Sequence, residues 1–147
     1  MKKLLILFLF AGLAFSTQSC KKKECPAPEV WGPGTWELTD VTDASGTSLL
    51  DPSDPNDQCL KNGSEMKLND KNDGDYLKLS GYDSNAGSCT TDNYPVTSWA
   101  ENVDNKTLIV TVNVGLPYAI QCVYLDKDKL YWDAAGDGSQ RVVFKRK

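Results

Sequence analysis

From Gly34 onward, apolar and polar side chains alternate in short runs, the two-residue period of strands with one buried face. In the run 34–42, Trp36 and Leu38 share one face while Glu37 and Thr39 take the other. Seven further runs repeat the pattern at 65–69, 76–82, 94–100, 107–114, 118–125, 129–132 and 141–145. Turn residues separate them, among them Asp43-Ala44-Ser45-Gly46, the Asp73-Gly74 pair and Gly136-Asp137-Gly138-Ser139. A long polar connection, 51–58, ends at Cys59, and 83–89 reads as a loop. No segment after the N-terminal leader keeps a 3.6-residue apolar period, so little helix is predicted. Eight strands joined in sequence close most simply into an all-β, antiparallel up-and-down barrel, because closure removes the exposed edges.

Alternation assigns the inward face to Trp36, Leu38, Met66, Leu68, Leu77, Leu79, Val96, Leu108, Val110, Val112, Ile120, Leu130, Trp132, Val142 and Phe144. An eight-stranded interior is either filled by such side chains or wide enough for one small ligand. Both outcomes stay open at this point. A ligand pocket, if formed, would be lined by Trp36, Leu38, Met66, Leu68, Leu79, Leu108, Val110, Val112, Ile120, Trp132 and Phe144. Tyr118 and Tyr124, at the ends of the sixth run, are predicted at the rim.

The first nineteen residues follow a different pattern. Lys2 and Lys3 precede an apolar run from Leu4 to Phe15, too short for a membrane span of about 20 residues and matched to a secretory signal. Ser16-Thr17-Gln18-Ser19-Cys20 followed by three lysines resembles the lipobox of bacterial lipoproteins, with Thr17 where leucine is commonest. That resemblance implies acylation of Cys20, and three acyl chains would anchor the chain permanently, since each buried methylene adds about 0.8 kcal/mol. Cleavage after Ser19 by the ordinary signal peptidase is the alternative and would release a soluble secreted protein. Residues 20–32 read as a charged, proline-bearing tether, and 33–147 as one domain.

Removing residues 1–19 takes two lysines and no acid, leaving 14 basic against 20 acidic side chains and a net charge of −6. Such a surface does not neutralise phosphates, so no nucleic-acid partner is expected. The chain has no histidine, which excludes Ser-His and Cys-His nucleophile pairs. No motif calls for a cofactor. Asp70 to Asp75 imitates the start of a calcium loop, but Gly74 arrives one place early and Gly81 stands where the closing glutamate belongs, so a hairpin turn is predicted. No motif selects a carboxylate pair for glycoside hydrolysis, and no enzyme activity is expected.

With Cys20 acylated, four cysteines remain for an oxidising compartment, enough for two disulfides. Cys59 precedes the second strand and Cys89 follows the third, at the same end of one hairpin, which favours that pair. Cys25 with Cys122 would then pin the tether to the sixth strand. No C-x-x-C spacing supports a metal cluster instead.

The stretch from about 33 to 147 resembles the lipocalin-like domains of Bacteroidetes lipoproteins. Gly34-Thr35-Trp36 is similar to the Gly-x-Trp of the first lipocalin strand, and Cys59, Gly74, Cys89, Trp99 and Leu108 fall in the family's order. Leu130 and the closing Val142 to Arg146 also fit. The resemblance implies a barrel with an apolar cavity, and a basic residue packed over the first tryptophan. Arg146 shares its parity with Phe144 and is the candidate for that role, with Arg141 as runner-up. The family's helix after the barrel has no counterpart before Lys147. Two functional readings follow: an outer-membrane lipoprotein, on the periplasmic or cell-surface face, that carries a small hydrophobic ligand; or one with a filled core whose loops, 51–58 and 84–88, contact a protein partner.

Overall fold

The alternation is realised in a computed structural model that describes residues 29–70 and 75–147. In chain order the elements are β1 (Gly34–Thr42), α1 (Pro55–Gly63), β2 (Glu65–Leu68), β3 (Tyr76–Asp83), β4 (Ser88–Asn102), β5 (Thr107–Asn113), β6 (Pro117–Asp126), β7 (Lys129–Asp133) and β8 (Arg141–Arg146). Each strand pairs antiparallel with its sequence neighbours and β8 returns to β1, so the sheet is a closed up-and-down barrel. Residues 1–28, with Cys20 and Cys25, and the Asp73-Gly74 turn lie outside the described residues.

Strict alternation fails at bulges, and each one re-aims the side chains beyond it. Residues directly opposite in a ladder share a face. In β1 the register shifts between Leu38 and Asp40, so Leu38 stays opposite Phe144 while Val41 comes opposite Val142. In β4 it shifts between Val96 and Ser98: Val96 stays opposite Val112, Trp99 comes opposite Val110, and Glu101 opposite Leu108. An acid thereby turns toward the interior. β4 also starts earlier than predicted, pairing Ser88 with Asp83, so 83–89 is a tight hairpin rather than a loop.

The polar connection contains a helix that the apolar pattern does not predict. Asp54 caps it by accepting from Asn56 N at 2.8 Å, Pro55 opens its first turn, and Ser64 N closes it on Leu60 O at 3.2 Å. Only Cys59 is buried and Leu60 partly so; the other helical side chains are too polar to leave a periodic trace. The helix stands where the wall would otherwise be incomplete. β2 has four residues, and its ladder to β3 ends at Glu65 opposite Lys78. Beyond it, Ser80 N donates to Ser64 Oγ at 2.9 Å, Tyr82 N to Asn56 Oδ1 at 3.0 Å, and Leu38 N of β1 to Ser64 O at 3.0 Å. Helix α1 and its cap thus satisfy edge donors that a longer β2 would have taken. The approach is close: a Cβ at Gly63 would stand 2.2 Å from Ser80 Oγ.

The Cys59–Cys89 disulfide fastens α1 to β4 with its Cα atoms 5.4 Å apart, as the sequence predicts. It closes a loop with a sequence separation of 30. Replacing both cysteines by alanine is expected to lower stability by about 3–4 kcal/mol, on the chain-entropy account of a loop this long. Urea unfolding of the two proteins, compared at equal pH without reductant, measures the difference.

Candidate functional site

The interior is a packed core. Of the eleven pocket candidates, Trp36, Leu38, Met66, Leu68, Leu108, Val110, Val112, Ile120 and Phe144 are buried in one cluster, and Leu79 and Trp132 pack against it half-buried. A hollow wide enough for a water molecule would leave surface on the side chains around it, yet Trp36, Leu108, Val110 and Leu130 have 0 % exposed. Dense packing of this kind is what stabilises a small barrel, at about 25 cal/mol per Å² of apolar area removed from water. Among the described residues, clefts of about 370 to 540 Å³ lie on the outside or at the rims, and Leu38 and Trp132 are the candidates that line these five.

One end of the barrel is closed by a latch around Trp36. The Arg146 guanidinium stacks over the Trp36 ring at 4.4 Å and donates Nη1 to Pro33 O and Nη2 to Trp31 O. From the other side, inward-turned Glu101 accepts from Trp31 N at 3.0 Å, Gly32 N at 2.7 Å and Tyr124 OH at 3.1 Å. Trp36 Nε1 donates to Gly32 O at 2.9 Å. An acid thus holds the amides of residues 31–32 while a base holds the carbonyls of 31 and 33. Gly34 fits beneath the guanidinium because it has no side chain: its φ is +140° and a Cβ would stand 2.6 Å from Arg146 Nη1. Arg146 therefore takes the basic role, and Arg141 lies elsewhere, over Tyr131 at 4.9 Å.

Two expectations need correction. Trp31 and Gly32, assigned to the tether, belong to the closed end of the barrel. Tyr124, expected at the rim, is 2 % exposed; burial and then the Glu101 charge push its hydroxyl above the ordinary tyrosine range. Cys122 is a free, buried thiol among the described residues, and Cys25, its expected disulfide partner, lies outside them. Cys122 sits on the inner face opposite Leu108, so its sulfur is enclosed by core, and burial pushes its pKa up to about 12. Tyr118, by contrast, stands 51 % exposed at the open rim, as predicted.

A second buried carboxylate braces the same end. Asp75, 4 % exposed, accepts from Trp99 Nε1 at 3.0 Å, from Asn69 N at 3.0 Å and from Asn69 Nδ2. On the outer wall Glu65 accepts from Lys78 Nζ at 2.9 Å and Tyr76 OH at 2.8 Å. These donors, Lys78 first, hold its carboxyl below the usual glutamate range. Among the described residues no group of three or more carboxylates and thiols converges to hold a metal ion. The chain matches no protein-family model, no curated protein and no solved structure. Its chemistry is therefore read from its own geometry.

Arg146→Met would leave the Trp31 and Pro33 carbonyls without donors and Trp36 without its cation. The expected loss is about 2–4 kcal/mol in urea unfolding, with Arg146→Lys recovering only part, because one ammonium does not reproduce a planar fork. For Glu65 the depressed carboxyl means its stabilisation is complete above the unfolded glutamate range, about pH 4.3, and is lost as pH falls through the lower folded value. The gap in urea midpoint between the native chain and Glu65→Gln is thus expected to shrink from neutral pH toward pH 3.

Proposed function

We propose that the chain is an exported, non-catalytic lipoprotein, acylated at Cys20 and held at the outer membrane, whose lipocalin-like barrel is a solid scaffold that presents its loops to a partner. The signal anatomy of residues 1–20 supports the export and the anchor. What favours a scaffold over a carrier of apolar molecules is the inner ring, from Trp36 through Leu108 and Val110 to Leu130, with no surface left for a ligand.

The latch gives the scaffold a direction. Residues 31–33 are held at the closed end, so a lipid on Cys20 lies within about 30 Å of Glu29 even along a fully extended chain. The closed end then faces the bilayer. Helix α1, the β3–β4 hairpin, the β5–β6 turn and the loop at 134–140 face away, and the exposed apolar side chains Val114, Leu116 and Tyr118 gather at the β5–β6 turn on that far side. Loops carried on a rigid barrel are where recognition residues concentrate.

Titration of the purified full chain with N-phenyl-1-naphthylamine is expected to give no saturable rise in fluorescence, and native mass spectrometry no apolar adduct. Saturable uptake that a fatty acid displaces and Val110→Trp blocks would return the carrier reading. Radiolabelled palmitate is expected to enter the native chain and not Cys20→Ala, which should leave the membrane fraction; labelling of that variant would remove the anchor from the proposal.

A further inference from the structure

The barrel has two short strands, and only one of the resulting gaps is sealed. Beside β2 the space is taken by α1. Beside β7 no described residue takes it: the β6–β7 ladder runs from Asp126 to Cys122 opposite Trp132, so residues 117–121 of β6 pair with no described strand on that side. A cleft of about 390 Å³ opens there on the outer wall, with Tyr118, Gln121, Tyr131, Trp132, Asp133 and Arg141 among its lining residues. That volume lies in the range of small-molecule sites, about 300–1,000 Å³.

Arg141 is the cation of this cleft, and among the described residues it forms no ion pair. Its Nη1 donates to Ala44 O at 3.0 Å, its guanidinium stands over Tyr131, and its Nε–H is enclosed with no acceptor. Asp133 lies directly opposite in the ladder and would be the obvious ion-pair partner. Its two oxygens are instead taken by Gly136 N at 2.9 Å and Gly138 N at 2.8 Å, which fold the 134–140 loop back on itself. Around Arg141, the Tyr118 and Tyr131 hydroxyls and the Gln121 amide make no hydrogen bond to another described residue. The enclosed Nε is out of reach of solvent, but the half-buried guanidinium forms no ion pair with a described residue, and the part of it that lines the cleft is free to meet an anion from outside.

One cation beside an acidic loop suits a single negative charge, and the planar fork suits a carboxylate. The remaining wall, from Ala119 and Val123 to the Tyr131 and Trp132 rings, suits a ring with an apolar face. We propose that this cleft binds a small ring-bearing monocarboxylate, its carboxylate on Arg141 and its ring against the β6–β7 wall. This rests on the preceding reading in placing the working surface outside the filled core.

The test is a set of NMR titrations of the isotope-labelled full chain in detergent with benzoate, glucuronate and benzamide. Benzoate or glucuronate is expected to shift the resonances of Tyr118, Gln121, Tyr131 and Arg141 saturably, and the one that binds tells whether the source is aromatic or sugar-derived. Benzamide, without the charge, should bind at least about tenfold more weakly. Arg141→Gln should weaken the acid by a similar factor. If that variant does not fold, Gln121→Glu, which sets a negative charge in the cleft, should do the same. No saturable shift with either acid up to about 10 mM, equal binding of benzamide, or acid binding untouched by the folded variants would overturn the proposal alone. Shifts confined to Leu108, Val110 and Val112 would overturn it together with the filled-barrel reading.

Discussion

A single guanidinium lies between the two termini of the domain and the centre of its core. Arg146 belongs to the last strand, Trp36 to the first, and residues 31 and 33 to the segment that leads into it. Stacking and hydrogen bonding at Arg146 therefore tie barrel closure, burial of the largest core side chain and the entry of the chain into one contact group. Glu101 completes it from β4, across the barrel. Both charges lie close to apolar surroundings, and each is tolerated because its hydrogen-bonding capacity is spent on backbone groups that would otherwise be unsatisfied. The arrangement explains why glycine stands two residues before Trp36: any side chain at Gly34 would occupy the space of the guanidinium.

The opposite end is built on incompleteness. An eight-stranded barrel with β2 of four residues and β7 of five cannot complete its ladders around the full circumference. At β2 the missing hydrogen bonds are supplied by a capped helix locked down by a disulfide, a covered edge in the sense that protects sheets from pairing with other chains. At β7 no described residue supplies such a cover, and Arg141, without an ion pair among the described residues, stands at that place. The contrast between a sealed and an unsealed gap gives the outer wall a feature that a solid barrel alone would not need.

A filled interior changes what the barrel can be for. With Trp36, Leu108, Val110 and Leu130 enclosed on all sides, recognition is left to the outside and the rims, where loop chemistry is free to vary without disturbing the core. The latch makes the ends unequal, so that an anchored molecule would have a near and a far side.

Legibility in the sequence followed the range of each interaction. Strand positions, the inward ring and the Cys59–Cys89 bridge could be read from the chain, because a period of two fixes which side chains share a face; a basic residue over Trp36 is implied only by the lipocalin resemblance, with parity choosing Arg146. Features that depend on a partner far away in the chain could not. The bulges that turn Val41 and Glu101 inward leave no trace in composition. The nine residues of α1 are too polar to show a period, and 51–58 reads as a polar connection although Asp54 and Pro55 are residue types that start helices. Whether the cylinder is hollow depends on how the side-chain volumes of eight strands add up around one axis. Alternation specifies only which residues contribute to that sum; the packed structure alone determined that they fill it.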